Sequence, residues 1–227
     1  MADDENKKDS DLVSSAVKKF EKFLELEQEN RRRAEDAINF RALNQWPDEI
    51  KRDRENNAQP GGARPCPVLD KTNQFLRQIV NEERLNPPSI KVRPVDDKAD
   101  VRVAEIYNGI IRHIQDSSDA TTAYTTAGEH AADGGHGYWR ILTEYTDPMS
   151  FDQDIRIVRV PNRFSVLLGP HTQPDGSDAK EGFVWEDMPL EEFKAKYPKA
   201  KTSGFEADEW GDEDTVRIAE YYCIKNE

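Results

Sequence analysis

The chain has 227 residues, a net charge of −13, 36% hydrophobic residues and 34% charged ones. That length supports a sizeable core, which must coexist with long solvated faces. The acidic balance excludes broad binding to nucleic-acid phosphates, which needs clustered Lys and Arg, but is compatible with a surface past which DNA slides. Met1 to Asn6 are acidic and polar, so no signal peptide begins here. The longest unbroken apolar run, Tyr221 to Ile224, is far short of a membrane span. Cys66 and Cys223 are too few for a disulfide framework and fit a reducing cytoplasm.

Residues 1–10 read as a disordered, charged lead-in. From Asp11 the apolar positions Val13, Val17, Phe20 and Leu24 form one helical stripe, which thins through Arg31-Arg32-Arg33. It resumes at Ala34, Ala37 and Ile38 and stops near Trp46-Pro47, giving a helix over 11–46. Residues 51–65 read as a loop by composition. Pro67 suits the first turn of a helix over 67–85 with Leu69, Leu76, Ile79 and Val80 on its apolar face. Pro87-Pro88 stops it, Ile90 to Val95 reads as a strand, and Asp96-Asp97 as the cap of the next helix.

That helix, over 97–116, has the clearest stripe: Val103, Tyr107, Ile110 and Ile114. Gly109 within it predicts close packing or a bend. A helix over 118–133 presents a small face of Ala120, Ala123, Ala127 and Ala131, which permits close approach of a neighbour. The period then changes to two, and residues 138–160 read as a hairpin with a long loop. Further strands are expected at 164–168, 183–186 and 216–225, with a short helix over 189–197 and an acidic loop over 199–214. The fold class is therefore α+β, with helices packed on a mostly antiparallel sheet drawn from 138–225. The last strand reaches Glu227 without a turn or cap, which reads as a chain cut short.

Catalytic signatures are scarce. No glycine precedes a lysine, so no phosphate-binding P-loop is present, and no dinucleotide fingerprint follows a strand. His130 and His136 with Asp133 or Glu129 are one metal candidate, but the six-residue spacing across a helix end is wide for zinc. The plainer reading is a helix C-terminus with left-handed glycines and a cationic His130 at the negative dipole end. Asp147, Asp152 and Asp154 are candidates for a nuclease-type metal cluster, or ordinary acidic residues of a hairpin connection. Arg31-Arg32-Arg33 and Lys51-Arg52-Asp53-Arg54 are the basic concentrations, and acids surround both. Mixed clusters of this kind are salt-bridged faces or subunit contacts more often than nucleic-acid patches. Trp46 is a packing anchor or an interface anchor. No catalytic, cofactor or metal residue is assigned.

Several segments, in order, resemble the portal proteins of short-tailed double-stranded DNA bacteriophages. They are Glu35-Asp36, Phe40 and Gln45-Trp46-Pro47; Arg64-Pro65-Cys66 with Gln74-Phe75; Pro88 to Val95; and Ala104-Glu105-Ile106 with Gly109 to Ile114. Gly135, Gly137 to Arg140, Phe151 to Ile157, Pro174 to Ala179 and Glu186-Asp187-Met188 complete the set. The chain departs where Leu43-Asn44 precedes Gln45-Trp46, since the family often carries a glycine there. The resemblance implies the wing-like α+β part of a portal subunit over 11–227, truncated at its C-terminus relative to a longer fold. It implies a non-enzymatic ring homo-oligomer, a dodecamer, at the portal vertex of the virion, made in a bacterial host's cytoplasm. Implied partners are terminase, scaffolding, capsid and tail proteins, with DNA passing unbound. The alternatives are a metal-dependent nuclease and a free-standing adaptor module.

Overall fold

The computed structural model describes residues 2–56, 64–95, 100–198 and 214–224, with side chains from Leu12 onward. The chain divides into two compact units, one of Met1–Asn30 with Phe164–Glu227 and one of Arg31–Arg163. Among the described residues no helix is long and apolar enough to cross a membrane.

Helix α1 (Ala2–Arg41) contributes to both units. No proline or glycine interrupts its sequence, so a helix once nucleated propagates along it. Its backbone takes in residues 2–10, where the sequence suggested a disordered lead-in. It ends short of the expected residue 46 because Leu43 adopts a left-handed φ of 71°. Leu43 N–H then bonds to Phe40 O at 3.2 Å, and Asn44 N–H reaches back to Asn39 O at 2.9 Å. This is the reversed-turn helix ending usually built on glycine, here with leucine in the strained position. Leu43→Gly is therefore expected to raise stability by about 0.5–1 kcal/mol, less than the full left-handed penalty because glycine adds unfolded-state entropy. Urea denaturation checks this, and a loss of stability would show that leucine's packing outweighs its strain.

In the first unit, β3 (Val166–Leu168), β4 (Glu181–Pro189) and β5 (Thr215–Cys223) form an antiparallel sheet in that order. Helix α6 (Leu190–Lys196) follows β4, so the expected strands and short helix are present. Most of the expected 199–214 loop lies outside the described residues, as does Lys225. Phe183 and Trp185, two residues apart on β4, share one sheet face. There they pack with Leu167, which is fully buried, and with Phe20 and Phe23 of α1. The expected stripe on α1 is thus rotated: Val13 and Leu24 are exposed, while Ala16, Phe20 and Phe23 make the contact. Phe20, shared by both faces, and Phe23 are large rings that outweigh the three aliphatic positions of the expected stripe in apolar area buried. One turn further on, Glu27 accepts the Leu168 N–H at 3.1 Å.

At the rim, Lys19 bonds to Glu181 at 2.5 Å and to the Tyr221 hydroxyl at 2.8 Å. The Glu181 hydrogen bond raises the Lys19 ammonium pKa, and the Lys19 bond lowers that of the Glu181 carboxyl. Arg217 grips Asp187 across the β4–β5 ladder through two bonds of 2.7 and 3.1 Å. In the loop after β3, Asp178 accepts from the Thr172 hydroxyl (2.6 Å), the Thr172 N–H (2.7 Å) and the Gln173 N–H (3.1 Å). These bonds, the Thr172 hydroxyl first, lower its pKa from 3.8 to about 2. A lowered carboxyl stabilises the fold above its unfolded pKa and loses that contribution as pH falls through its folded one. The loop is therefore expected to hold above about pH 4 and to release between pH 4 and 2. An NMR titration of the Asp178 carboxyl should have its midpoint near 2; a midpoint at the ordinary 3.8 refutes the clasp.

The second unit is built around α5 (Ala120–Gly134). Ala120, Ala123 and Ala127 are buried, as their spacing predicted, while Ala131 is exposed. That small face lets α3 (Thr72–Leu85) and the hairpin strand β2 (Gln153–Arg159) pack closely, with Ile157 against Ala120 and Ala123. β1 (Trp139–Tyr145) pairs antiparallel with β2 as expected, Ile141 opposite Ile157. Gly135, at φ 87°, ends α5 in left-handed geometry. At Gly137 a Cβ would lie 1.8 Å from the Ala127 carbonyl oxygen, so only glycine lets the chain pass the helix.

Four expectations are corrected in this unit. Residues 51–56 belong to a helix, α2 (Asp48–Asn56), with Asp48 and Glu49 in its first turn and Arg54 in its last; residues 57–63 lie outside the described set. Helix α3 starts at Thr72 rather than 67, Asp70 accepting the Asn73 N–H, and Leu69 and Ile79 are exposed while Leu76 and Val80 are buried. Residues 90–95 join no sheet. Instead Val92 donates to the Asn108 side chain at 2.8 Å and accepts from it at 3.0 Å, so one amide replaces a neighbouring strand. Helix α4 (Val101–Ser117) is capped by Asp100, which accepts the Arg102 N–H at 2.8 Å. The expected Asp96-Asp97 cap lies outside the described residues. A Cβ on Gly109 would meet nothing within 4 Å, so of the close packing or bend expected there, close packing is not found.

Candidate functional site

A polar constellation lies in the second unit, where three residues after α1 and in α2 hold the proline-rich segment 64–71. Arg54 donates to Pro65 O at 2.8 Å, the Trp46 indole to Pro67 O at 2.9 Å, and Gln45 to Leu69 O at 3.0 Å. Carbonyls two residues apart form one edge of an extended chain. Prolines 65 and 67 cannot donate, so these carbonyls find partners in side chains instead of a ladder. The Arg54 guanidinium also lies over the Trp46 ring at 4.3 Å. Trp46 therefore anchors its own chain's loop, through its N–H and its face, rather than a sheet. Gln45-Trp46-Pro47 and Arg64-Pro65-Cys66, separate in sequence, become one structural device.

The basic clusters are used within the chain. Arg32 pairs with Asp36 at 3.2 Å, Lys51 with Asp48 at 3.5 Å and with the Asn44 side chain, and Arg54 is committed to the clasp. This is the salt-bridged reading of those clusters, not a nucleic-acid patch.

The metal candidates at the end of α5 are drawn into an arginine network. Asp133, whose side chain is 4% exposed, receives Arg163 at 3.0 Å and Arg41 at 3.3 Å. Arg163 also donates to His130 O at 2.7 Å, and Glu129 pairs with Arg41 at 3.7 Å. Burial first, and then the Arg163 charge, lower the His130 pKa. His130 is therefore neutral at pH 7, a correction of the cation expected there; the dipole end is served by Arg163 instead. His136 is exposed, and among the described residues no three His, Cys, Asp or Glu side chains gather at a metal-binding spacing. Sequence reasoning missed Arg41 and Arg163 because single arginines 122 positions apart carry no spacing signal.

The hairpin acids serve the turn. Asp147 accepts the Met149 N–H at 2.9 Å, Asp152 accepts from the Ser150 hydroxyl at 3.0 Å, and Asp154 faces Arg156 at 3.5 Å. Nothing in this arrangement brings the three carboxylates to a common point.

Comparison with known proteins follows the same lines. The Phage P22-like portal protein family matches residues 17–227. A portal protein of Acyrthosiphon pisum secondary endosymbiont phage 1 is 33% identical over 171 residues, which is 70% of this chain and 24% of that protein. The chain thus spans about a quarter of that relative's length.

Proposed function

This chain belongs to the P22-like phage portal protein family, and from that premise we propose that it is the wing-like part of a portal subunit, spanning residues 11–227. Copies assemble into a closed ring, a dodecamer, at one vertex of the phage head. DNA enters through that ring during packaging and leaves through it at ejection, with terminase and tail docking in turn. The protein's work is mechanical, and no residue is given a catalytic role. The observation that carries this reading is the family match over residues 17–227. Its charge supports it: a chain of net −13 repels a phosphate backbone, so DNA slides by without sticking. The two basic clusters agree, since Arg32, Lys51 and Arg54 within them are engaged on the chain itself.

The test is location. Gold-labelled antibody against this chain, applied to opened heads of the phage that encodes it, should mark a single vertex. Label spread evenly over the shell, or absent from it, refutes the portal assignment.

A further inference from the structure

The second unit carries two apolar surfaces that its own folding leaves uncovered. On α4, three of the four residues of the stripe that reads most clearly in the sequence are exposed: Tyr107 is 54% and Ile110 48% accessible, with Val103 and the neighbouring Ile106 open beside them. The fourth, Ile114, packs against Ala120, Ala123 and Ile157. The helix is buried along the adjoining flank, through Ala104, and Asn108 on that flank is half-buried and bonded to Val92. The β1–β2 hairpin forms the second surface. Ile157 and Trp139 are held by α5, the latter by an edge-on contact with Tyr124 at 5.3 Å. Further out on the same sheet face, Ile141 is 67% and Tyr145 61% accessible, and Ile155 is exposed too. A two-stranded ribbon with one apolar face in water is not a self-sufficient element.

The backbone points the same way. The Ile157 N–H is turned out of the ladder, onto the Ser118 hydroxyl at 3.1 Å. Its register partner is Ile141, so Ile141, Thr143 and Tyr145 direct their N–H and C=O groups to the free edge of β1. No strand among the described residues pairs with that edge.

The two surfaces are complementary in charge. Glu144, Asp147 and Asp152 at the outer end of the hairpin are exposed and make no ion pair among the described residues. Beside the α4 stripe, Lys91, Arg93 and Arg102 are exposed and likewise make none. An apolar strip bordered by acids on one element and by bases on the other fits a core-and-rim interface.

We infer that the outer face of α4, with the basic segment 90–95 beside it, receives the β1–β2 hairpin of a second copy of this chain. The contact is heterologous: each copy offers a hairpin on one side and a helix face on the other. Repetition of such a contact closes into a ring when its rotation allows. The inference rests on the ring reading above, and deepens it by naming the surfaces that meet.

The test uses the full chain with benzoylphenylalanine in place of Tyr107, mixed with isotope-labelled unmodified chain and irradiated. Adducts between labelled and unlabelled copies should map to residues 139–155. Two charge variants run alongside: Glu144→Lys with Asp152→Lys, and Lys91→Glu with Arg93→Glu and Arg102→Glu. Each alone is expected to weaken self-association about ten-fold or more, and an equimolar mixture of the two to restore it. Intermolecular adducts that map elsewhere, or a mixture no better than its parts, overturn the surface assignment and leave the ring standing. A chain that stays monomeric at every concentration and gives no intermolecular adduct also overturns the surface assignment, whereas the ring reading falls only if the antibody label fails to mark a single vertex.

Discussion

Replacing Phe183 by alanine is expected to cost about 3–5 kcal/mol, the range for losing a large buried aromatic side chain. Phe183 is 3% exposed. Its ring meets Phe20 at 5.3 Å and Phe23 at 5.9 Å, both edge-on, and stacks on Tyr221 at 4.8 Å. Few positions join so much. The unit is assembled from both ends of the chain, residues 1–30 and 164–227, and these aromatic contacts are what tie the helix to the sheet. A cavity at the centre of β4 removes a partner of both α1 rings at once, leaving Phe20 its edge-on contact with Trp185. Hydrogen exchange should therefore show protection lost in β3, β4 and β5 before it is lost in the β1–β2 hairpin. Phe75→Ala is the control, since that ring is exposed and its loss should change stability by less than about 0.5 kcal/mol. A similar small loss at Phe183 would mean that the core repacks around the gap.

Much of this architecture was legible, and the failures have physical causes. The alternation in β1 and β2 and the alanine spacing of α5 gave the hairpin and the central helix directly, because both elements bury one face against a neighbour. Periodicity shows that a face is apolar, not what covers it. The stripe of α4 was therefore read correctly as helical, but the pattern did not show that only Ile114 among its four residues packs on this unit's core. Helix α2 was hidden because Lys51-Arg52-Asp53-Arg54 has no apolar period; charge placement and the Trp46 contact hold it. Residues 90–95 have a strand's pattern, but their partner is a single side-chain amide. An asparagine in mid-helix is a weak former, and Asn108 was the one visible hint of that role. Phe23 escaped because four aliphatic and aromatic positions fit a stripe without it.

Asp133 shows how a correctly suspected residue can be given the wrong partner, and it carries the second large effect. Asp133→Ala is expected to destabilise the chain by about 3 kcal/mol, the lower end of the range for breaking a buried ion pair. The lower end applies because Arg41 is 29% exposed and keeps Glu129 within 3.7 Å. Arg163 has less recourse: its side chain is 12% exposed and retains only the His130 carbonyl among its described contacts. An opposing effect must be weighed. Asp133 sits in the last turn of α5, where a negative charge is unfavourable by about 0.3–1 kcal/mol, so its removal alone would help the helix. The buried pair is larger by a factor of three or more, and loss should win. Asp133→Asn separates the two, since it deletes the charge and keeps the shape and a hydrogen-bond acceptor for Arg163. It should fall between wild type and alanine in urea denaturation at unchanged slope. A variant more stable than wild type would mean that the helix dipole, not the arginine network, sets the energetics at this end of α5.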